Sequence, residues 1–184
     1  MQITELALPD VKLVQLKVHG DNRGFFMETF READWRSILR DRPFIQDNQS
    51  HSAPAGTVRG LHYQMPPFAQ AKLVQALRGR ILDVAVDLRR GSPSFGRHIA
   101  LELAAGDGKQ MFVPEGFAHG FMTLEPDSMV AYKVTAPYEP KSERGIAWDD
   151  PDLAIVWPAQ LKASATLSPR DRQWPCLKDA TDLF

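Results

Sequence analysis

The 184-residue chain has 43% hydrophobic and 24% charged residues, which excludes disordered and collagen-like chains, and its length fits one domain spanning 1–184. Its 22 basic and 23 acidic residues leave a formal charge of -1, so there is no overall field for a nucleic acid, and an anionic ligand needs a local basic pocket. A single cysteine, Cys176, excludes an intrachain disulfide and a multi-cysteine zinc site and suits the reducing cytoplasm.

The first residues carry Glu5 and Asp10 and lack the basic, apolar and small-residue succession of a signal peptide. A short apolar pattern over 11–18 predicts a first strand. A helix follows over 30–40, where Thr29 and Glu32 have capping-box spacing, Phe30, Trp35, Ile38 and Leu39 give a partial apolar face, and Pro43 is the stop. Further strands are predicted over 72–77, 81–88, 98–103, 110–113, 120–124 and 129–135. The 81–88 pattern alternates most strictly, with Leu82, Val84, Val86 and Leu88 on one face and Asp83 and Asp87 on the other, and reads as a half-buried strand. Turns such as Arg90-Gly91-Ser92-Pro93 and Gly106-Asp107-Gly108 separate these runs. A second helix is expected from Ser168, with Pro169 at its first position and Asp171 where a capping acid belongs.

Many short strands at roughly ten-residue spacing argue for an all-β sandwich or barrel with a few short peripheral helices. The dinucleotide and phosphate-loop signatures are missing, so neither a Rossmann cofactor nor nucleotide hydrolysis is expected. No apolar run approaches the 18 residues of a membrane span, and neither an internal repeat nor a linker divides the chain.

Chemistry-bearing residues concentrate between Gln46 and Tyr138. The blocks are Arg23 to Glu28, Gln46-Asp47-Asn48, Arg59-Gly60-Leu61-His62-Tyr63-Gln64, Gln70-Ala71-Lys72, Asp83 to Arg89, Pro114 to Phe121, Tyr132-Lys133, Trp148-Asp149-Asp150-Pro151 and Leu167-Ser168. In this order, from Gly20 to Lys178, they resemble the dTDP-4-dehydrorhamnose 3,5-epimerase family, whose fold is a cupin-type jelly roll. The resemblance implies epimerisation at C3 and C5 of dTDP-4-dehydro-6-deoxy-D-glucose to dTDP-4-dehydro-L-rhamnose. It further implies a cytoplasmic homodimer that supplies L-rhamnose for surface polysaccharide such as lipopolysaccharide. Inverting a carbon next to a ketone needs a base for the α-proton, a cation or donor for the enolate, and an acid on the opposite face. The substrate's own ketone acidifies both protons, so neither an organic cofactor nor a metal is expected.

The resemblance makes His62 the base, Tyr132 the acid, and Lys72 with His119 the groups that hold the developing enolate, with Asp171 orienting His62. Without it, His62 reads as a hydrogen-bonded strand histidine, Tyr132 as sheet packing and Lys72 as a strand-edge charge. Lys72 does share parity with Val74 and Ala76, an apolar face on which a cation needs an anionic partner. Asp171 has two competing roles for one carboxylate, orienting His62 or capping a helix. Arg23, Arg59 and His119 match the family's substrate contacts, as do Glu28, Gln46, Asp47, Asn48 and Glu143; Arg170 stands where many relatives have lysine. Phe26 and Tyr138 are placed to pack near the base or sugar. Arg59 and His62 have opposite parity, which an unbroken strand would send to opposite faces; either Gly60 supports a bulge, or Arg59 serves another surface such as a dimer partner's pocket.

Two other enzyme readings share the jelly roll. A metal-dependent cupin needs a His-x-His pair, and here Gln64 follows His62 by two residues. A single-centre epimerase or a ketoisomerase of a related nucleotide sugar would use the same His, Lys and Tyr, whereas a non-catalytic sugar-binding cupin would be expected to lack the base.

Overall fold

The computed structural model describes residues 1–184. In chain order the elements are β1 (Gln2–Glu5), β2 (Lys12–Gln15), β3 (His19–Asp21), β4 (Gly24–Phe26), α1 (Glu32–Leu39), β5 (Gln46–Ser52), β6 (Val58–Gln64), β7 (Lys72–Arg78) and β8 (Arg80–Asp87). There follow β9 (His98–Ala104), β10 (Lys109–Val113), β11 (Phe117–Thr123), β12 (Ser128–Val134), β13 (Glu143–Gly145), α2 (Ala159–Ala163) and a 3-10 turn at Leu177–Asp179. A six-stranded sheet runs β1-β2-β10-β7-β12-β5 and a five-stranded sheet β13-β6-β11-β8-β9; β3 and β4 form a separate hairpin. All pairings between the strands are antiparallel. This is the jelly-roll sandwich expected of an all-β chain with short peripheral helices.

Three layers of apolar side chains hold it together. Between the sheets, Val74, Ala76, Met111, Val113 and Val130 of one sheet meet Ile81, Ala85, Leu103, Phe117 and Phe121 of the other. Outside the six-stranded sheet, α1 lays Trp35 on Phe112, Leu73 and Val14, with ring centroids 5.5 Å apart for the two aromatics. Outside the five-stranded sheet, the chain after β13 brings Ile146, Leu153, Ile155 and Trp157 over Val58, Leu61, Val84 and Val86. Burying a side chain of this size is worth about 1.5–3 kcal/mol, which is why both sheets are covered on their outer faces.

That outer cover corrects one reading. β8 is buried on both faces, with Asp83 and Asp87 both at 0% exposure. Its apolar face lies under the C-terminal wrap, and Asp83 shares the inter-sheet side with Ile81 and Ala85. Polar residues on an alternating strand face solvent only when nothing covers the other side. Here the aspartates are the interior face.

Both predicted helix starts are also corrected. The residue flanking α1 is Arg31, without a side-chain cap; Glu32 instead pairs with Arg36 one turn on, at 2.8 Å. The helix ends at Leu39, ahead of Pro43, with Arg40 at φ 53° closing back on the Arg36 carbonyl. At Ser168 there is a turn over 169–172 and no helix. Ser168 Oγ accepts from the Asp171 N–H at 3.1 Å, so the serine half of the cap forms and the carboxylate is left free. β1, β13, α2 and the 3-10 turn carry too little periodicity to be read in advance, being three to five residues long.

Candidate active site

A cavity of about 480 Å³ opens between the sheets. The five-stranded sheet supplies Arg59, His62, His119 and Glu143, and the six-stranded sheet supplies Gln46, Asn48, Lys72 and Tyr132. Tyr138, Arg170 and Asp171 come from loops at its margin.

The parity problem on β6 is resolved by a bulge. His62 lies opposite His119 while Arg59 lies opposite Phe121, so three steps on β6 span two on β11. Gly60 sits in the extra position at φ +121°, where a Cβ would come 2.7 Å from the Gly120 Cα and 2.8 Å from the His119 carbonyl oxygen. Only glycine tolerates both the dihedral and the approach. Arg59 and His62 thereby face the same cavity, and Val58, Leu61 and Tyr63 face the C-terminal wrap. Arg59 is steadied by Ser52 Oγ at 3.1 Å and the His51 carbonyl at 2.8 Å.

His62 Nε2 lies 2.5 Å from Asp171 Oδ1. An ionised carboxylate only accepts, so Nε2 is the donating nitrogen and Nδ1 is the one that faces away from Asp171 as the candidate base atom. Burial pushes the Asp171 carboxyl up, but the hydrogen bond from His62 and the nearness of that ring, with Ser168 and Trp174, bring it below the ordinary carboxylate value. His62 is partly open to the cavity, its side chain 23% exposed.

His119 makes a second pair of the same kind, Nε2 to Asp83 Oδ1 at 2.7 Å, but more deeply buried, with the imidazole 7% exposed at the cavity and Asp83 at 0%. Burial pushes this imidazole's pKa below the ordinary value, outweighing the pull of Asp83, and keeps it neutral. Its one proton is spent on Asp83, and its other nitrogen is an acceptor.

Lys72 points inward beside Val74 and Ala76, as its parity predicts; it is 8% exposed, and its Nζ donates to the His62 carbonyl at 3.4 Å. Burial lowers its pKa to about 8, with Asp83 and Glu143 pulling the other way. Asp83 Oδ2 has no hydrogen-bond partner. Tyr132 is partly buried, and desolvation holds its phenol above the ordinary value, hence protonated at neutral pH.

The rim is polar. Tyr138 Oη donates to Glu143 at 2.7 Å, and Arg170 binds the same carboxylate and the Tyr138 hydroxyl. Gln46 donates to Asn48 at 2.8 Å and accepts from the Tyr138 N–H at 3.2 Å.

Four of the residues singled out in the sequence lie elsewhere. Asp47 alternates to the outer face of β5, where it pairs with Lys133 at 2.7 Å. Arg23 and Phe26 sit on the β3–β4 hairpin and Glu28 follows it, outside the cavity; Arg23 is held by Asp21, and Glu28 by Arg31. Conversely, Asp83 and Gln64 were named only as members of motif blocks with no role at the site, and Trp174 was not named at all. Gln64 ties the loop bearing Tyr138 to the site, donating to the Phe68 and Pro137 carbonyls and accepting from the Glu139 N–H. No group of three or more His, Cys, Asp or Glu side chains is arranged to hold a metal, and no helix is long and apolar enough to cross a membrane.

Residues 5–179 match the family model described as dTDP-4-dehydrorhamnose 3,5-epimerase. A protein of that name from Sinorhizobium fredii is 49% identical over 96% of this chain and 90% of its own length. The Legionella pneumophila dTDP-6-deoxy-D-glucose-3,5-epimerase, solved with dTDP-4-keto-L-rhamnose, superposes with a TM-score of 0.91 at 41% identity, covering 98% of this chain and 94% of that one. A 3'-monoepimerase from Streptomyces bikiniensis, solved with dTDP-quinovose, follows at a TM-score of 0.88 and 34% identity, covering 95% and 87%. On the family match, these identities and a shared jelly roll, the chain belongs to the dTDP-4-dehydrorhamnose 3,5-epimerase family.

Proposed function

We propose that the protein inverts C3 and C5 of dTDP-4-dehydro-6-deoxy-D-glucose, giving dTDP-4-dehydro-L-rhamnose. The observation that carries this is the placement of the base and the acid: His62 belongs to one sheet and Tyr132 to the other, and both line the cavity between them. A hexose ring held in that gap has a base on one face and a phenol on the other, as inversion requires.

His62 Nδ1 removes the proton α to the C4 ketone, and Asp171 stabilises the imidazolium that forms. Lys72 donates to the oxygen as it becomes an enolate. His119, neutral and already donating to Asp83, has no proton to offer there and takes the role of acceptor toward a sugar hydroxyl. Tyr132 then protonates the carbon from the far side. Arg59 and Arg170 are the cations placed to meet the diphosphate, and Tyr138 offers a face for the thymine or sugar.

The exposed hairpin supports a homodimer. Phe25 and Phe26 are 58% and 70% exposed, and Arg23 projects beside them, away from this chain's own cavity. These residues and Glu28 reach a substrate only if the hairpin of one copy closes over the cavity of another. The single domain, the cytoplasmic location and the supply of rhamnose for surface polysaccharide belong to the same reading, supported by the single cysteine and a nucleotide-linked substrate.

Incubation with the 4-keto sugar in deuterated water, followed by NMR, tests the reaction. Deuterium at both C3 and C5 is expected. Incorporation at one centre alone moves the chain to the single-centre epimerases, and incorporation at neither sinks both readings.

A further inference from the structure

We infer that Trp174 is a positioning residue for the proton-abstracting pair, holding the Asp171 carboxylate through its indole N–H while its ring fixes the plane of His62. The inference rests on the reading of His62 as the base.

Trp174 Nε1 donates to Asp171 Oδ1 at 3.2 Å, the same oxygen that receives His62 Nε2. Its ring meets the imidazole edge to face, with centroids 6.1 Å apart and planes at 71°. Gly145 lies under the indole so closely that a Cβ there would overlap the ring, and Gly145 is the β13 residue paired with His62. The indole is therefore pinned against the backbone beside the histidine it contacts, and it holds a carboxylate on a turn, which no helix would otherwise immobilise.

The shared oxygen sets the sign of the effect. A second donor on Oδ1 draws charge from the oxygen that stabilises the His62 imidazolium, so removing the indole N–H strengthens the ion pair and makes His62 more basic. Other charged or titratable groups around His62 are Lys72 on β7, His119 on β11, Glu143 on β13, Tyr132 on β12, Arg59 on its own strand and Arg170 on the turn, and none is altered by a change at 174.

The test compares Trp174→Phe, which keeps a ring and loses the donor, with Trp174→Gln, which keeps a donor and loses the ring. His62 is titrated by NMR in labelled protein without substrate, and the acid limb of kcat/KM is measured beside it. In Trp174→Phe the midpoint and the limb should both rise by about half a unit, with a loss of kcat/KM of up to about threefold on the acid limb, and Trp174→Gln should titrate close to the wild type. An unshifted midpoint in a folded, slower Trp174→Phe enzyme, or equal shifts in both variants, would reduce Trp174 to packing. Because the titration needs no substrate, a shifted midpoint in a protein that fails to epimerise the 4-keto sugar upholds the role of Trp174 and overturns only the assigned reaction.

Discussion

The two histidine–aspartate pairs are built from the same groups at nearly the same separation, 2.5 Å for His62 with Asp171 and 2.7 Å for His119 with Asp83, yet they are not equivalent. The first spans 109 residues from a strand to a C-terminal turn and leaves His62 23% exposed; the second spans 36 residues within one sheet, with Asp83 at 0% and only a 7% exposed edge of His119 reaching the cavity. An imidazole that must gain a proton needs room and a carboxylate beside it, and His62 has both. Desolvation holds the buried His119 neutral, making it a fixed polar contact. In the proposed mechanism the same side-chain pair serves as a base or a strut according to what covers it.

Removing each ring breaks the comparison most sharply. His62→Asn should lower kcat by about 10³-fold with little change in KM, since the lost group acts on the proton in flight. His119→Asn should cost about tenfold and divide it between kcat and KM, because a contact to substrate is lost in the ground state too. Steady-state kinetics on the two variants decide it; equal losses in kcat alone would mean that both rings move protons.

Much of this division was legible in the sequence, but not the reason for it. The spacing of Lys72, Val74 and Ala76 already turned the lysine inward, and the opposite parity of Arg59 and His62 left two choices, a bulge at Gly60 or another surface for Arg59, of which the structure has the bulge. Asp83 was misread because alternation on a strand says which residues share a face and not which face is covered. That depended on Leu153, Ile155 and Trp157, about 70 residues later, lying over Val84 and Val86. Asp171 was ambiguous for a local reason, since the same Ser168 spacing serves a cap or a turn, and only the distance to His62 separates them. Trp174, in a segment without periodicity, gave no signal at all.

The carboxylates sharpen the contrast at smaller cost. Asp171→Asn removes the charge that stabilises the His62 imidazolium, so the acid limb of kcat/KM should move down by about one unit as activity near neutrality falls roughly tenfold. Asp83→Asn keeps a polar partner for His119 away from the base, and the limb should stay in place. A matching shift in both pH profiles would show that the two pairs titrate as one unit.

The smallest effect is a matter of pH alone, and it concerns the lysine between the pairs. Lys72 must be charged to hold an enolate, and burial brings its pKa from 10.5 to about 8. The protonated form is therefore complete below that pH and is lost as pH rises through it, so kcat/KM for the free enzyme should fall along an alkaline limb centred near pH 8. Tyr132 is not the source of that limb, because burial moves its phenol the other way. Lys72→Arg separates the two, since a guanidinium stays charged throughout the range. Whatever activity that variant retains should continue level past pH 8, and a limb that stays near pH 8 without the lysine would assign it to another group.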